Sequence, residues 1–357
     1  MTATNSAVEA DIIIGVDTHK DTHAAVAIDR LGRQLEHRSV VTTKSGLIEL
    51  LNWAQQLGRV RVWGVEGTGS YGAGLTRHLL AAGETVHEVS RPDRRVRRER
   101  GKSDPLDAEI AARSVLAQRH LGTPKSAGSS EALRQLRTTR RAAMKARTQA
   151  ANQLHALLLT GPQDLRAELD KCAFAAKVQR CVKLRPASGI PDAREACKLS
   201  LRSVARRWHH LTAEITELDS TIAAITNDAA PLLLAQFGVG PDVAATLLIT
   251  AGGNKDRMHR EASFAALCGV NPLPASSGKT NRHRLNRGGD RQANSALHTV
   301  ALTRMRTEPR TRAYVAKRTA QGLSKREIMR CLKRFIARQL FRLLQKPDPA
   351  EPRLRTT

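Results

Sequence analysis

The alternation of apolar and polar positions divides the first third of the chain into short strands and helices. Residues 11–28 alternate around a polar turn, Thr18 to Thr22, and predict a β-hairpin. The pattern then predicts a strand at 35–42, a helix at 45–57, a strand at 60–66, a helix at 71–82, a strand at 84–89 and a helix from about Pro105 to Gln118. Hairpin strands followed by alternating helices and strands indicate a mixed α/β sheet.

Two long helices are predicted in the middle of the chain. The first covers 131–159 and ends near Gly161-Pro162, and the second covers 200–226. The second carries a heptad seam through Leu201, Val204, Trp208, Leu211, Ile215, Leu218, Ile222 and Ile225. The first carries a rougher seam through Leu133, Leu136, Met144, Ala151, Leu154 and Leu158, interrupted by Arg140 and Arg147. The seams predict an antiparallel arm or a surface for a second subunit, although an ordinary intramolecular bundle has the same pattern.

Short helices and a polar loop are predicted from Pro231 onward. Residues 273–291 form a loop rich in Ser, Gly, Arg and Asn, and the last helix begins at Ser324, with Glu327 completing a capping box. Its apolar face is predicted to contain Ile328, Leu332, Phe335, Ile336, Leu340 and Leu343, and its polar face Lys325, Arg326, Arg330, Lys333, Arg334, Arg338 and Arg342. The expected domains are an α/β domain at 1–124, a helical arm at 125–228, a helical C-terminal domain at 229–346 and a disordered tail at 347–357.

The charge of the chain is strongly positive and unevenly placed. Lys and Arg total 59 against 33 Asp and Glu, a formal net charge of +26. Residues 1–124 contribute +2, residues 125–254 contribute +7 and residues 255–357 contribute +17. We favour phosphate backbones as the partner over a solvated basic surface or an anionic-membrane binder, since no apolar anchor accompanies the charge. Aromatic residues make up 3% of the chain, so base stacking is not expected to dominate recognition.

Cysteine usage and hydropathy favour a cytoplasmic protein. The five cysteines are odd in number and show no C-x-x-C spacing, which fits a reduced compartment better than a disulfide framework. No run approaches the roughly 18 apolar residues of a membrane-spanning helix, so no membrane span is expected.

Four carboxylates stand where predicted strands or helices end. Two apolar runs stop at Asp17 and Glu66, each followed by small or polar residues. The helix near Pro105 is predicted to begin with Asp104 as its N-cap, and Asp107, three residues later, can face the same point. Any one of these acids could be an ordinary cap or surface turn. Together, in a basic chain, they predict a site for Mg²⁺ or Mn²⁺ that cuts or joins nucleic acid.

Three segments around these acids resemble the acidic signatures of the DEDD transposases. The segments are Gly15-Val16-Asp17-Thr18-His19-Lys20, Val65-Glu66-Gly67-Thr68-Gly69-Ser70-Tyr71 and Lys102-Ser103-Asp104-Pro105-Leu106-Asp107-Ala108. The family consists of insertion-sequence enzymes with a RuvC-like, ribonuclease-H-type N-terminal domain. The resemblance implies that the family's four metal-binding, catalytic acids are Asp17, Glu66, Asp104 and Asp107. Asp21 and Glu109 lie nearby but do not match its pattern.

The second half of the chain resembles the same family. Residues 234–244 look like its helix-hairpin-helix entry, in which Gly238 and Gly240 allow backbone N–H groups to approach a phosphate. A Gly-x-Gly turn is also a common connection between helices. Residues 264–272, followed by Ser276-Ser277-Gly278-Lys279, resemble the segment that holds the family's catalytic serine. Ser277 directly precedes a glycine and fits best, with Ser276 as the alternative.

The resemblance also implies the chemistry and the partners. In the family's proposed mechanism, the serine attacks a DNA phosphodiester, forms a covalent phosphoserine intermediate and leaves a free hydroxyl that rejoins to another partner. The family further implies a structured guide RNA from the mobile element, which pairs with donor and target DNA. The acids and Ser277 are far apart in sequence, so we expect domain docking or a site shared between subunits.

Basic residues near these segments are the predicted nucleic-acid contacts. The family commonly has Lys-Arg-Gly-Asn after the serine, whereas this chain has Asn286-Arg287-Gly288-Gly289, so a lysine is replaced by asparagine. The predicted nucleic-acid-binding residues are Arg94, Arg95, Arg97, Arg98, Lys102, Gly238, Gly240, Lys279, Arg282, Arg284, Arg287 and Arg291. The arginines before Asp104 could instead form a merely solvated basic helix.

These observations predict a cytoplasmic transposase or recombinase of a mobile insertion sequence. Its expected cofactor is Mg²⁺ or Mn²⁺, and its expected partners are DNA, a guide RNA and further copies of itself, as a dimer or tetramer. Two alternatives remain open at this point. One is a hydrolytic, RuvC-like junction nuclease that uses water as the nucleophile, and the other is a non-catalytic RNA-binding scaffold whose acids are structural.

Overall fold

The computed structural model of the chain describes residues 11–89, 103–118, 121–124, 128–252, 260–276 and 283–345. These residues form two compact units, one from the described residues up to 124 and the other from 128–251 and 260 onward. The first unit contains β1 (Asp11–Thr18), β2 (Thr22–Asp29), β3 (Gln34–Val41), α1 (Lys44–Leu57), β4 (Arg59–Glu66), α2 (Ala73–Ala81), β5 (Val86–Val89), α3 (Asp104–Leu116) and β6 (Leu121–Gly122). Each strand and helix predicted for this part of the chain is confirmed, with ends that differ by up to two residues.

A six-stranded mixed sheet organises the first unit, with the strand order β3-β2-β1-β4-β5-β6. The β1–β2–β3 meander is antiparallel, as the hairpin pattern predicted, and β1, β4 and β5 run parallel to one another. β6 returns antiparallel to β5. The parallel centre therefore brings the C-terminal ends of β1 and β4 to the same edge of the sheet. This mixed sheet confirms the predicted RuvC-like α/β fold.

Helices cover both faces of the sheet, which explains why β1 is apolar at nearly every position. Ile12, Ile14 and Val16 pack with residues of α1 and α2 on one face. Ile13 belongs to the cluster on the opposite face, where α3 packs. Because side chains alternate along a strand, Gly15 and Asp17 share the α3 face with Ile13.

The second unit is helical and contains one short hairpin. Its elements are α4 (Ser129–Thr160), α5 (Gln163–Asp170), α6 (Phe174–Val182), α7 (Ala193–Ala229), α8 (Pro231–Leu234), α9 (Pro241–Ala251), α10 (Glu261–Leu267), β7 (Leu273–Pro274), β8 (His283–Arg284), α11 (Arg291–Thr307), α12 (Pro309–Ala320) and α13 (Lys325–Leu344). Among the described residues, no helix is long and apolar enough to cross a membrane.

The two long helices, α4 and α7, pack antiparallel along their seams. The end of α4 packs through Leu154 and Leu158 against Leu201 near the start of α7. At the opposite end, Leu133 packs with Ile222 and with α9. The antiparallel pairing of the two seams is therefore confirmed within one chain, and it fits the predicted arm and an ordinary intramolecular bundle equally well. A seam for a second subunit stays a prediction.

The two arginines that interrupt the α4 seam have specific partners. Arg140 forms ion pairs with Asp219 of α7 and Asp242 of α9. Arg147 lies over the ring of Trp208, with its guanidinium carbon 5.9 Å from the ring centroid. These contacts keep both charges paired or stacked beside the apolar seam.

The last helix, α13, follows its predicted pattern with two differences. The capping box of Ser324 and Glu327 is present, and Ile328 is buried as predicted. Phe335 was predicted on the apolar face but is largely exposed, with an edge-on contact to Tyr314. Lys333 was predicted on the polar face but is buried.

Candidate active site

Two strand ends place Asp17 and Glu66 side by side in the first unit. Gly15 pairs with Gly64 and Val16 with Val65 across the parallel β1–β4 ladder, so the next residues on the two strands are Asp17 and Glu66. Both carboxylates are almost completely buried, with 6% and 8% of their surface exposed. The strand-end acids predicted from the sequence are thus brought together on the face that α3 covers.

Two glycines allow α3 to approach this face closely. A Cβ on Gly15 would lie 2.1 Å from the backbone oxygen of Ala108, and one on Gly64 would lie 2.4 Å from a methyl of Val115. No side chain fits at such distances, so glycine in the strands and alanine in the helix together set the helix–sheet spacing. That spacing places the first turn of α3 beside the strand ends.

The first turn of α3 carries the other two acids. Ser103 is the N-cap and Asp104 is the first helical residue, so the prediction of Asp104 as N-cap was wrong by one position. Both residue types cap helices well, and Pro105 fits either assignment, which explains the error. Asp107 is buried with 2% exposure, whereas half of the Asp104 side chain faces solvent. A helix N-terminus favours negative charge at both positions.

The other three acids lie close enough to Asp17 to act on its charge. Burial raises the pKa of Asp17, His19 opposes that rise, and the charges of Glu66, Asp107 and Asp104 raise it further. Carboxylates that repel one another in a buried position are the arrangement that a divalent cation relieves. The hard oxygen donors present here therefore fit Mg²⁺ or Mn²⁺.

His19 lies at the same site and was not among the predicted site residues. Its Nδ1 is 3.8 Å from Asp17 Oδ2 and its Nε2 is 3.9 Å from Asp104 Oδ1. One ligand atom from each of these three residues lies within 4.8 Å of the others. His19 belongs to the turn after β1, where no periodicity marks it, and only its place two residues after Asp17 could have indicated it.

The turn after Glu66 is fixed by local hydrogen bonds. Thr18 donates its hydroxyl hydrogen to the backbone oxygen of Glu66 at 2.8 Å, which ties the ends of β1 and β4 together. Gly67 has a φ of +67°, a conformation that favours glycine, and its carbonyl accepts from the Ser70 backbone N–H. The Glu66-Gly67 sequence therefore stops the strand at a defined point.

In the second unit, the segments that precede and follow Ser277 in the sequence are held against each other. We call residues 268–274 and 283–290 the hairpin base. β7 and β8 pair within it, with Leu273 opposite Arg284. A Cβ on Gly289 would lie 2.2 Å from the backbone nitrogen of Gly269, so the two backbones touch there.

Asn286 has a structural role in the hairpin base. Its amide donates to Asn271 Oδ1 at 2.6 Å and to the backbone oxygen of Ala266 at 3.3 Å. Its side-chain oxygen accepts from the Gly288 N–H at 2.8 Å. A lysine has no acceptor, so the asparagine that replaces the family's lysine makes a bond that lysine cannot make.

Polar side chains of α11 and α13 behind the hairpin base complete its support. Asn294 of α11 donates to the backbone oxygens of Cys268 and Gly269 at 2.9 and 3.0 Å. Lys333 donates to Asn294 Oδ1 at 2.8 Å, which explains its burial on α13. Burial lowers the pKa of Lys333. Helical periodicity predicted Lys333 on the polar face of α13, because a pattern within one helix cannot indicate a partner on another helix, here Asn294.

The serine candidates fall at the limit of the described chain. Ser276 is described and exposed, whereas Ser277, Lys279 and Arg282 lie outside the described residues, as do Arg94, Arg95, Arg97, Arg98 and Lys102. Arg284, Arg287 and Arg291 are exposed and form no ion pair with any residue that the structure describes. These three guanidinium groups remain available to contact phosphate.

The Gly238–Gly240 turn connects α8 and α9. Gly238 has a φ of +81°, and Arg304, which is buried, donates from Nε to the backbone oxygen of Phe237 at 2.9 Å. A Cβ on Gly240 would meet no atom within 4 Å, so the backbone there is open to approach.

Two family models match the chain. One, described as DEDD_Tnp_IS110, a transposase, matches residues 14–161, which include all four acids. The other, described as the Transposase IS116/IS110/IS902 family, matches residues 230–316, which include the glycine turn and the hairpin base. A comparison with curated proteins finds no match.

Proposed function

Because this chain belongs to the IS110 family of DEDD transposases, and so is a DNA transposase, we propose that it cuts and rejoins DNA with four acids and a serine. The acids are Asp17, Glu66, Asp104 and Asp107 of the first unit. The serine is Ser277, with Ser276 as the alternative. The observation that supports the proposal is the convergence of the four acids at one edge of the sheet, where Glu66, Asp104 and Asp107 are each close enough to act on the charge of Asp17.

The four acids would hold Mg²⁺ or Mn²⁺. Their oxygen donors suit these cations, and their mutual repulsion is relieved by positive charge. When bound, such a cation polarises the phosphate and stabilises negative charge on the leaving oxygen. The burial of Asp17, Glu66 and Asp107 fixes three of the four donors, while the exposure of Asp104 leaves one side open to substrate.

Ser277 would supply the nucleophile. Its hydroxyl oxygen attacks the phosphorus and its proton passes to solvent. The bond to the leaving DNA oxygen breaks, and that oxygen takes a proton from solvent to give a free hydroxyl. A hydroxyl of another DNA end then attacks the phosphoserine and restores the serine, so the number of phosphodiester bonds is unchanged. This exchange requires no external energy source. The support is the hairpin base, whose two hydrogen-bonded segments precede and follow Ser277 in the sequence. Further support comes from Arg284, Arg287 and Arg291, which form no ion pair with any residue that the structure describes.

A guide RNA and self-association belong to the same proposal. The net charge of +17 in residues 255–357 provides capacity for more than one nucleic-acid strand, and the aromatic content of 3% offers little base stacking. Base pairing by an RNA would then supply the sequence specificity. Sequencing of the nucleic acid that co-purifies with the protein tests for the RNA, and light scattering measures the number of subunits.

Serine variants test the strand-joining step directly. Ser277→Ala should bind DNA but form no recombinant product, while Ser276→Ala should retain joining. The reverse result would move the nucleophile one residue earlier. If both single variants and the double variant recombine normally, the serine mechanism is wrong and water becomes the nucleophile, as in a junction nuclease.

A further inference from the structure

We propose that His19 is a nitrogen ligand of the divalent cation at the acid site, and that it biases the site toward Mn²⁺ over Mg²⁺. This inference rests on the proposed function, because it assumes that the acids bind a cation. It goes beyond the family resemblance, whose pattern consists of four acids and assigns no metal-binding role to this histidine.

The distances around His19 fit a shared cation better than direct hydrogen bonds. Its two ring nitrogens lie 3.8 Å from Asp17 and 3.9 Å from Asp104, beyond ordinary hydrogen-bond length. For a cation with donors at about 2.1 Å, adjacent donors lie about 3 Å apart and opposite donors about 4.2 Å apart. The two measured separations lie between these values and involve different nitrogens, of which one cation can take only one. One ligand atom from each of His19, Asp17 and Asp104 lies within 4.8 Å of the others, so small side-chain rotations would bring one nitrogen and both carboxylates onto one cation.

Hydrogen bonds hold the backbone of the turn that carries His19, so the His19 side chain starts from a defined position. The His19 N–H donates to the Thr22 oxygen at 3.0 Å. On the far side of the turn, Thr42 donates its hydroxyl hydrogen to the Lys20 oxygen at 2.8 Å, which ties the turn to the residue after β3. The side chain itself is 41% exposed, so an incoming cation can reach it.

An imidazole changes which cation the site prefers. Carboxylates alone suit Mg²⁺ and Mn²⁺, whereas imidazole binds transition metals better than Mg²⁺. One nitrogen donor added to a carboxylate cluster should therefore strengthen Mn²⁺ binding relative to Mg²⁺. The competing role for His19 is a protonated imidazolium that pairs with Asp17 and Asp104 and never contacts the cation.

Pulsed electron paramagnetic resonance of Mn²⁺ on the full-length protein separates these roles. We expect a ¹⁴N coupling from a directly bound imidazole, and we expect it to change to a ¹⁵N pattern when the histidines are ¹⁵N-labelled. His19→Asn offers an amide oxygen in place of the imidazole nitrogen, so the histidine coupling should disappear while Mn²⁺ still binds. His37→Asn, an exposed histidine of β3, is the matched control and should leave the coupling unchanged.

Calorimetry provides the second measurement. In His19→Asn, the affinity for Mn²⁺ should fall by at least about tenfold, the lower end of what loss of an outer-shell partner costs, and the affinity for Mg²⁺ should fall less. The inference is overturned if the unmodified protein binds Mn²⁺ without histidine nitrogen coupling, or if the coupling persists in His19→Asn. If Asp17→Asn and Asp107→Asn bind Mn²⁺ as tightly as the unmodified protein, the acid site itself is wrong, and the role of His19 fails with it.

Discussion

The acid site and the hairpin base are positioned by different kinds of interaction. Asp17, Glu66 and the first turn of α3 are held by the ends of regular elements, with glycine–alanine contacts setting the helix–sheet distance. The hairpin base is held by side-chain hydrogen bonds from Asn286 and Asn294 to backbone atoms. The first arrangement follows mainly from long regular elements, whereas the second has only a two-residue strand pair and relies more on individual polar side chains.

Replacing the acids should produce the largest effect. Asp17→Asn and Asp107→Asn each remove a charge from the buried cluster, so DNA cleavage should fall by at least about 10²–10³-fold, the range for losing one electrostatic contact at a reacting centre. DNA binding should persist because the basic residues remain. A gel assay of strand cleavage with Mg²⁺ measures this, with Asp21→Asn as the control, since Asp21 is exposed and outside the motif. Full cleavage in saturating EDTA would contradict the metal site.

Substitution of a glycine at the close contact between α3 and the sheet should have the next largest effect. Gly15→Ala places a methyl against the Ala108 backbone, so overpacking should cost about 1–3 kcal/mol of unfolding free energy and displace the first turn of α3. Cleavage should fall with it. The control is Gly74→Ala in α2, where a Cβ meets nothing and stability should rise by up to about 1 kcal/mol. Urea unfolding compares the two, and equal stability for both variants would disprove the steric argument.

Substitutions in the hairpin base should have a smaller effect on stability, and that effect should be confined to the second unit. Asn286→Ala removes the bonds to Asn271 and Gly288, with an expected loss of about 1–2 kcal/mol in unfolding free energy. Strand joining should fall while Mn²⁺ binding in the first unit is unchanged. Asn286→Lys, which restores the family's residue, should not recover the stability because an ammonium cannot accept from the Gly288 N–H.

Arg287→Ala is the matched control for the Asn286 variants. Arg287 is exposed and makes no ion pair among the described residues, so the variant should keep full stability and lose affinity for DNA. If Asn286→Ala instead weakens Mn²⁺ binding, or Arg287→Ala unfolds the hairpin base, the distinction between the two regions does not hold.

The sequence could predict where the four acids lie in the fold because strand alternation and helix caps are local signals. Apolar runs ending at Asp17 and Glu66 identified the strand ends, and only the choice between Ser103 and Asp104 as N-cap went wrong. The roles of Asn286 and Lys333 could not be read in this way. Each depends on a partner distant in sequence, Asn271 for the first and Asn294 for the second, and no periodicity encodes such pairs. His19 was not predicted for a related reason, since it lies in a turn, where no hydrophobic periodicity marks single residues.

Mapping a covalent protein–DNA adduct tests the central claim most directly. The unmodified protein, incubated with cleavable DNA and Mg²⁺, should yield on digestion a peptide in which Ser277 carries a phosphodiester-linked nucleotide. The adduct should be absent in Ser277→Ala, and also in Asp17→Asn if the acids activate the same step. Cleavage and joining without any serine adduct would contradict the account, and so would an adduct that forms undiminished in Asp17→Asn.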